Sequence, residues 1–163
     1  MITTGQQREV VQATQPTPYS YRSDPDVPSF PDDRPVIVFD GYCALCSGWA
    51  AFVLRHDKRD HYRLVTAQSP LGQALYRHYG LDPEDYETNM LIESGLPWLR
   101  STGSLRMLIG LGWPWRMAGV LFALPVPLRD WLYERLARNR LRWFGRRRHC
   151  YVPTAADRER FLT

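Results

Sequence analysis

Four apolar residues in a row, Val36-Ile37-Val38-Phe39, stand between Pro35 and the turn Asp40-Gly41-Tyr42. A short unbroken apolar run bounded by turn residues predicts a strand buried on both faces. The period then changes. Leu45, Trp49, Phe52, Val53 and His56 fall at i, i+4, i+7, i+8 and i+11, which predicts one apolar face of a helix from about residue 44 to 56. Asp57-Lys58-Arg59-Asp60 closes that helix, and Tyr62 to Thr66 predicts a second strand. Strand, helix and strand within about 30 residues form a βαβ unit, so the two strands should run parallel with a right-handed crossover.

Ser69 followed by Pro70 predicts an N-cap and a first helical position, with the helix running to about Tyr79 and stopping at Gly80. Asp82 to Glu87 predicts a polar loop. Asn89-Met90-Leu91-Ile92 and Pro97-Trp98-Leu99-Arg100 predict a β-hairpin with Ser94-Gly95 in its turn. From Ser101 onward the pattern is helical. Ser101 or Thr102 caps a helix to about Leu111, and Gly112-Trp113-Pro114 breaks it. Trp115 to Leu124 predicts a second helix, ended by Pro125-Val126-Pro127. Leu128, Trp131, Leu132 and Leu136 mark the predicted buried face of a third, and Ala155 to Phe161 predicts a short last one. The fold class is therefore α/β: a small mixed sheet, βαβ plus a β-hairpin, with a helical C-terminal extension.

Residues 1 to about 34 lack any sustained period. Pro16, Pro18, Pro25, Pro28 and Pro31 are mixed with Thr, Gln, Ser and Asp. Such a segment buries too little apolar surface to offset its ordering entropy, so residues 1–34 are expected to be a disordered tail and 35–163 the folded domain. The stretch from Met107 to Leu128 is apolar, but Arg116 and three prolines interrupt it, and a spanning helix needs about 20 uninterrupted apolar residues. Buried helices are expected there; peripheral contact with a membrane stays open.

The formal charge of +4 is too small for a dedicated nucleic-acid binder, and Lys58 is the only lysine. Arg135, Arg138, Arg140, Arg142, Arg146, Arg147 and Arg148 form a basic run, expected to be a solvated helix face. With Cys43, Cys46 and Cys150 as the only cysteines, a secreted disulfide scaffold is excluded. Met1 to Gln15 has no apolar core of a leader, and a cytoplasmic location is expected.

The chemistry concentrates in Cys43-Ala44-Leu45-Cys46, between the first strand and the first helix. Unpaired N–H groups and the dipole at a helix start favour an anion, so the first thiol ionises readily. The second thiol, one turn on, can attack a mixed disulfide. Cys43 is then the nucleophile and Cys46 the resolving thiol, with Cys46 expected further from solvent. Asp40 either takes a proton or orients the turn. Gly41 permits the tight turn, and Tyr42 offers an aromatic wall to a substrate.

The segment Phe39-Asp40-Gly41-Tyr42-Cys43-Ala44-Leu45-Cys46-Ser47 resembles the signature of the DCC family (DUF393) of thiol-disulfide oxidoreductases, named for Asp-x-x-Cys-x-x-Cys. Arg100-Ser101-Thr102-Gly103-Ser104-Leu105 is similar to that family's Arg-Ser-Asp-Ala-Ala-Leu segment. Asn139-Arg140-Leu141-Arg142-Trp143-Phe144-Gly145 resembles its Asn-Arg-Tyr-Arg-Trp-Phe-Gly block. The resemblance covers about residues 35 to 162 and implies a thioredoxin-like fold. Thr102 stands where the family often has Asp, and Leu141 where it has Tyr.

The expected activity is protein-disulfide reduction by the Cys43–Cys46 dithiol, acting on a disulfide-containing protein or a small thiol, with an unknown reductant and no nucleic acid. No cofactor and no metal are expected. The other class of reading is a non-catalytic binding module. There Cys43, Cys46, His149 and Cys150 would be structural or hold zinc, and the arginine run would dock a partner. More than a hundred residues separate the two halves of that set, and there is no second CxxC. No proline precedes Asn89, so a cis-proline beside the cysteines, as thioredoxin-like proteins usually have, is not expected.

Overall fold

The computed structural model describes residues 16–84 and 88–162. Four strands form one sheet: β1 (Val36–Phe39), β2 (Arg63–Thr66), β3 (Met90–Glu93) and β4 (Leu96–Leu99). The helices are α1 (Ala44–His56), α2 (Pro70–His78), α3 (Arg100–Gly110) and α4 (Val126–Phe144), with 3-10 turns at Ser20–Ser23, Trp115–Ala123 and Arg158–Arg160. The spatial order is β2-β1-β3-β4. β1 and β2 run parallel, joined through α1, and β3 and β4 add antiparallel to β1. This mixed α/β arrangement, with α1 starting directly after the central strand, is consistent with a thioredoxin-like fold.

Alternation along the strands divides the core. Val36, Val38, Val65, Met90 and Ile92 face α2, while Ile37, Phe39, Leu64 and Leu91 face α1 and α3. All four residues of β1 are therefore buried, as its unbroken apolar run requires. Ser69 caps α2, its Oγ accepting the Gly72 N–H at 3.0 Å, worth about 1 kcal/mol. In the β3–β4 turn Ser94 and Gly95 take φ of 54° and 73°, both left-handed, which is the twist a two-residue hairpin needs.

Five expectations need correction. Residues 16–34 are not a free tail. Tyr21 and Val27 are buried on the α2 side of the sheet, Phe30 stacks on Tyr21 at 5.2 Å, and the Tyr21 hydroxyl donates to Asp32 at 2.9 Å. His78 is held at the end of α2 by Asp24 at 2.5 Å and Ser20 at 2.7 Å. Three apolar anchors suffice because the prolines have already restricted the backbone they must order. Residues 1–15, like residues 85–87 of the expected polar loop, lie outside the described residues.

α1 is rotated: Cys46, Ser47, Ala50 and Val53 are buried, whereas Leu45, Trp49 and Phe52 are only partly covered. The segment Trp115–Ala123 is 3-10 rather than α-helical and has no buried residue. Most consequential is α4. Leu128, Trp131, Leu132 and Leu136 are exposed, and Arg129 and Arg140 are buried. The expected short last helix reduces to one 3-10 turn. After it Phe161 pairs with Leu64 on the outer edge of β2, and the Leu162 N–H donates to the Leu64 carbonyl at 2.8 Å. Among the described residues no helix is long and apolar enough to cross a membrane.

Candidate active site

Cys43 is the N-cap of α1, and its sulfur accepts the Cys46 N–H at 3.3 Å. The strand-turn-helix sequence thus aims one thiol at the helix's unpaired donors. The Cys43 thiol falls from its ordinary 9.0 to about 6. A hydrogen bond from the Cys46 side chain is the largest cause. Burial opposes it, the Cys46 N–H and the Arg140 guanidinium reinforce it, and the Asp40 carboxylate works against it. Cys46 is pushed far up, first as the donor to Cys43 and then by burial, with Arg140 pulling it down. The two sulfurs therefore share one proton, and Cys43 carries the charge.

The turn is tied from below. One Asp40 carboxylate oxygen accepts the Tyr42 N–H at 2.9 Å and the Gln68 side-chain amide at 2.6 Å. Gln68 in turn accepts the Gly41 N–H at 3.0 Å, and the Ser47 hydroxyl donates to the Gly41 carbonyl at 3.1 Å. Arg140 enters from α4. One of its nitrogens lies 3.7 Å from the Cys46 sulfur and another 3.8 Å from the second Asp40 oxygen. Asp40 and Arg140 are both buried.

The structure brings Asp40, Gly41, Tyr42, Cys43 and Cys46 together. Gln68 and Arg140 join them and were not singled out from sequence. Arg140 lies in the Asn139–Gly145 block that carries the resemblance, but it reads there as one arginine of a basic run. Its distinguishing signal is position. It falls on the same helix face as Arg129, eleven residues and three turns earlier, and these two are the buried residues of the helix.

Both thiols are covered by the protein, Cys43 0% and Cys46 4% exposed. Cys150 lies close to the turn. Residues 145–151 lie across the turn as a strap, with Cys43 bridged to Arg146. The Arg147 N–H donates to the Tyr42 carbonyl at 2.7 Å and the Tyr151 N–H to the Gly41 carbonyl at 3.0 Å. Cys150, half-buried and with its thiol raised mainly by burial, sits directly over Gly41. Among the described residues no three His, Cys, Asp or Glu side chains converge as a metal site would need.

Gly41 has no room for a Cβ, which would collide with the Cys150 sulfur and approach Gln68 Oε1 and Thr66 Cγ2 at 3.3 Å. Gly41→Ala should therefore lift the strap and destabilise the protein by about 1–3 kcal/mol, the usual cost of overpacking. A lower Tm that recovers in Gly41→Ala/Cys150→Ala is the expected result. No recovery in the double variant would show that the contact with Cys150 is not what excludes a side chain.

The family model described as DCC1-like thiol-disulfide oxidoreductase matches residues 37–146, from β1 to the residue that bridges Cys43. The chain belongs to this family. Two similar relatives agree. It is 35% identical over 127 residues to the uncharacterized protein YuxK of Bacillus subtilis (strain 168), covering 78% of this chain and 93% of that one. It is 36% identical over 121 residues to a chloroplastic DCC family protein of Arabidopsis thaliana, covering 73% of this chain and 70% of the relative. No solved structure matches it at a significant level. The DCC match spans the four strands but for Val36, and takes in Asp40 to Cys46, Gln68 and Arg140, but not residues 16–34 or the strap beyond Arg146.

Proposed function

We propose that the chain is a protein-disulfide reductase that works through its Cys43–Cys46 dithiol. The observation that carries this reading is the asymmetry of the pair: one sulfur held as a thiolate near neutral pH, its neighbour held as a thiol. A metal-holding pair would need both sulfurs as thiolates, and a purely packing pair neither. The Cys43 thiolate attacks one sulfur of a substrate disulfide, forming a mixed disulfide and releasing the first substrate thiolate, which takes a proton. Cys43 then no longer accepts from Cys46 as an anion. The main cause of the raised Cys46 pKa is thereby removed, and Arg140 remains beside its sulfur to favour the thiolate. Cys46 loses its proton and attacks the Cys43 sulfur. The second substrate thiolate leaves, and the two electrons gained by the substrate are balanced by the Cys43–Cys46 disulfide.

The strap supports an extended polypeptide as the substrate. The Gly41 and Tyr42 carbonyls already pair with backbone N–H groups of residues 151 and 147. When the strap lifts, the same carbonyls can pair with an extended polypeptide alongside Cys43. Asp40 acts by orienting the turn, since one of its oxygens is occupied by Tyr42 and Gln68.

The test uses single serine variants and a disulfide-bonded protein substrate. Cys43→Ser is expected to abolish turnover, and Cys46→Ser to accumulate covalent adducts that dithiothreitol releases. Equal turnover by wild type and Cys43→Ser, with no adducts in Cys46→Ser, would overturn the reading.

A further inference from the structure

Among the described residues, all but one of the large hydrophobic side chains that are exposed lie between Trp113 and Phe144, the exception being Val152. Solvent-facing positions of α4 form a stripe: Leu128, Trp131, Leu132, Arg135, Arg142 and Trp143 follow at i, i+3, i+4, i+7, i+14 and i+15. The preceding segment continues it. Trp113 is 77% and Val120 72% exposed, values that a monomer's water-facing surface rarely concentrates in one place.

The charge on this face has one sign. Between residues 113 and 149 every exposed charged residue is an arginine. The two acids of the stretch are half-buried and turned to α3: Asp130 accepts the Ser101 hydroxyl, and Glu134 lies 3.4 Å from Arg100. Arg116, Arg135, Arg138, Arg142, Arg146 and Arg148 have no ion pair among the described residues. Arg129, buried against the Phe122 ring at 4.8 Å, leaves Nε and Nη1 without a hydrogen-bond partner.

We propose that this face docks on an anionic lipid bilayer. A second copy of the chain is disfavoured, because a self-complementary contact would bring arginine against arginine. An acidic protein would satisfy the charge but not the composition. Tryptophan and leucine interleaved with long basic side chains match the zones of a bilayer surface. The indoles sit at headgroup depth, the aliphatic tips enter the acyl boundary, and the guanidinium groups reach back to phosphates. The chain would lie on the membrane without crossing it, and the proposal is independent of the redox chemistry.

The experiment is co-sedimentation of the full chain with vesicles of equimolar phosphatidylglycerol and phosphatidylcholine, and with phosphatidylcholine alone, while tryptophan emission is followed. Binding to the anionic vesicles with a blue shift is expected, weakened by salt. Arg135→Gln and Arg142→Gln should each lower partitioning about fivefold. Trp131→Ser/Leu132→Ser should lower it about tenfold or more, since two side chains lose their apolar contact. Val152→Ser, an exposed apolar position outside the face, should leave it unchanged. These positions are exposed in the monomer, so far-UV circular dichroism should match wild type. Failure to bind anionic vesicles overturns the proposal, as does binding to which Trp131→Ser/Leu132→Ser is indifferent. A concentration-dependent dimer abolished by that double variant without vesicles assigns the face to a second copy instead. Binding of polyglutamate without binding of vesicles assigns it to an acidic protein.

Discussion

Limiting iodoacetamide will alkylate Cys43 before Cys46 or Cys150, and the rate will climb with pH through a midpoint of about 6. At pH 7 most of Cys43 is thiolate, whereas an ordinary thiol of pKa 9.0 is ionised to roughly one part in a hundred. Cys150 lies above that ordinary value and is poorer still. Access works the other way, because Cys43 is fully covered by the strap and Cys150 is half-exposed. The order therefore holds if the strap opens more often than about once in a hundred. Arg147→Pro removes the N–H that holds the Tyr42 carbonyl and should speed alkylation of Cys43 severalfold. The midpoint should stay in place, because the Cys46 N–H, the Cys46 thiol and Arg140 do not belong to the strap. Peptide mapping decides it. Labelling of Cys150 first in both wild type and Arg147→Pro would remove the case for Cys43 as nucleophile. The same shift has a stability sign. A depressed Cys43 pKa stabilises the reduced fold fully above pH 9.0, and the contribution is lost as pH falls through about 6.

The second large effect is expected at Arg140. Arg140→Met should leave the first attack in place and stall the second, because the cation beside the Cys46 sulfur is gone. Each unit by which Cys46 then rises costs about tenfold in its thiolate. Mixed disulfides should accumulate in a protein that still has both cysteines. The Cys43 midpoint should move up in Arg140→Met and down in Asp40→Asn, since Arg140 lowers it and Asp40 raises it. Stability separates from chemistry in a third variant. Removing one partner of a buried ion pair costs about 3–5 kcal/mol, less here because Asp40 keeps its bonds from Tyr42 and Gln68. Asp40→Asn/Arg140→Met should regain the Tm without regaining release. Release at the wild-type rate in Arg140→Met would exclude Arg140 from the resolving step.

The parts of this fold that sequence disclosed are those fixed by neighbours in the chain. The apolar run of β1, the cap at Ser69, the hairpin turn at Ser94-Gly95 and the thiol pair at a helix start each follow from a few adjacent residues. The site was legible as far as it is local, from Asp40 to Cys46. Gln68 and Arg140 come from β2's exit and from α4, and no spacing ties them to the cysteines. α4 shows why periodicity is an incomplete guide. The repeat of Leu128, Trp131 and Leu132 identifies a helix with an apolar stripe but does not say which side meets the core. Here Arg140 turns inward, because a buried cation beside Cys46 and Asp40 is compensated, and Arg129 is buried on the same side of the helix. The N-terminal segment departs from its composition for a related reason. Composition counts prolines against order, while three anchoring side chains on the face of β1 outweigh them.

The last residues of the chain also bear on solubility. A four-stranded sheet leaves two rims of unpaired backbone groups, each a template onto which a foreign strand can grow. At the β4 rim Pro97 removes a donor. At the β2 rim Phe161 and Leu162 take the place a recruited strand would seek. A chain clipped before Phe161 would keep its thiols and helices and yet present a growing edge, so its self-assembly is governed far from its chemistry.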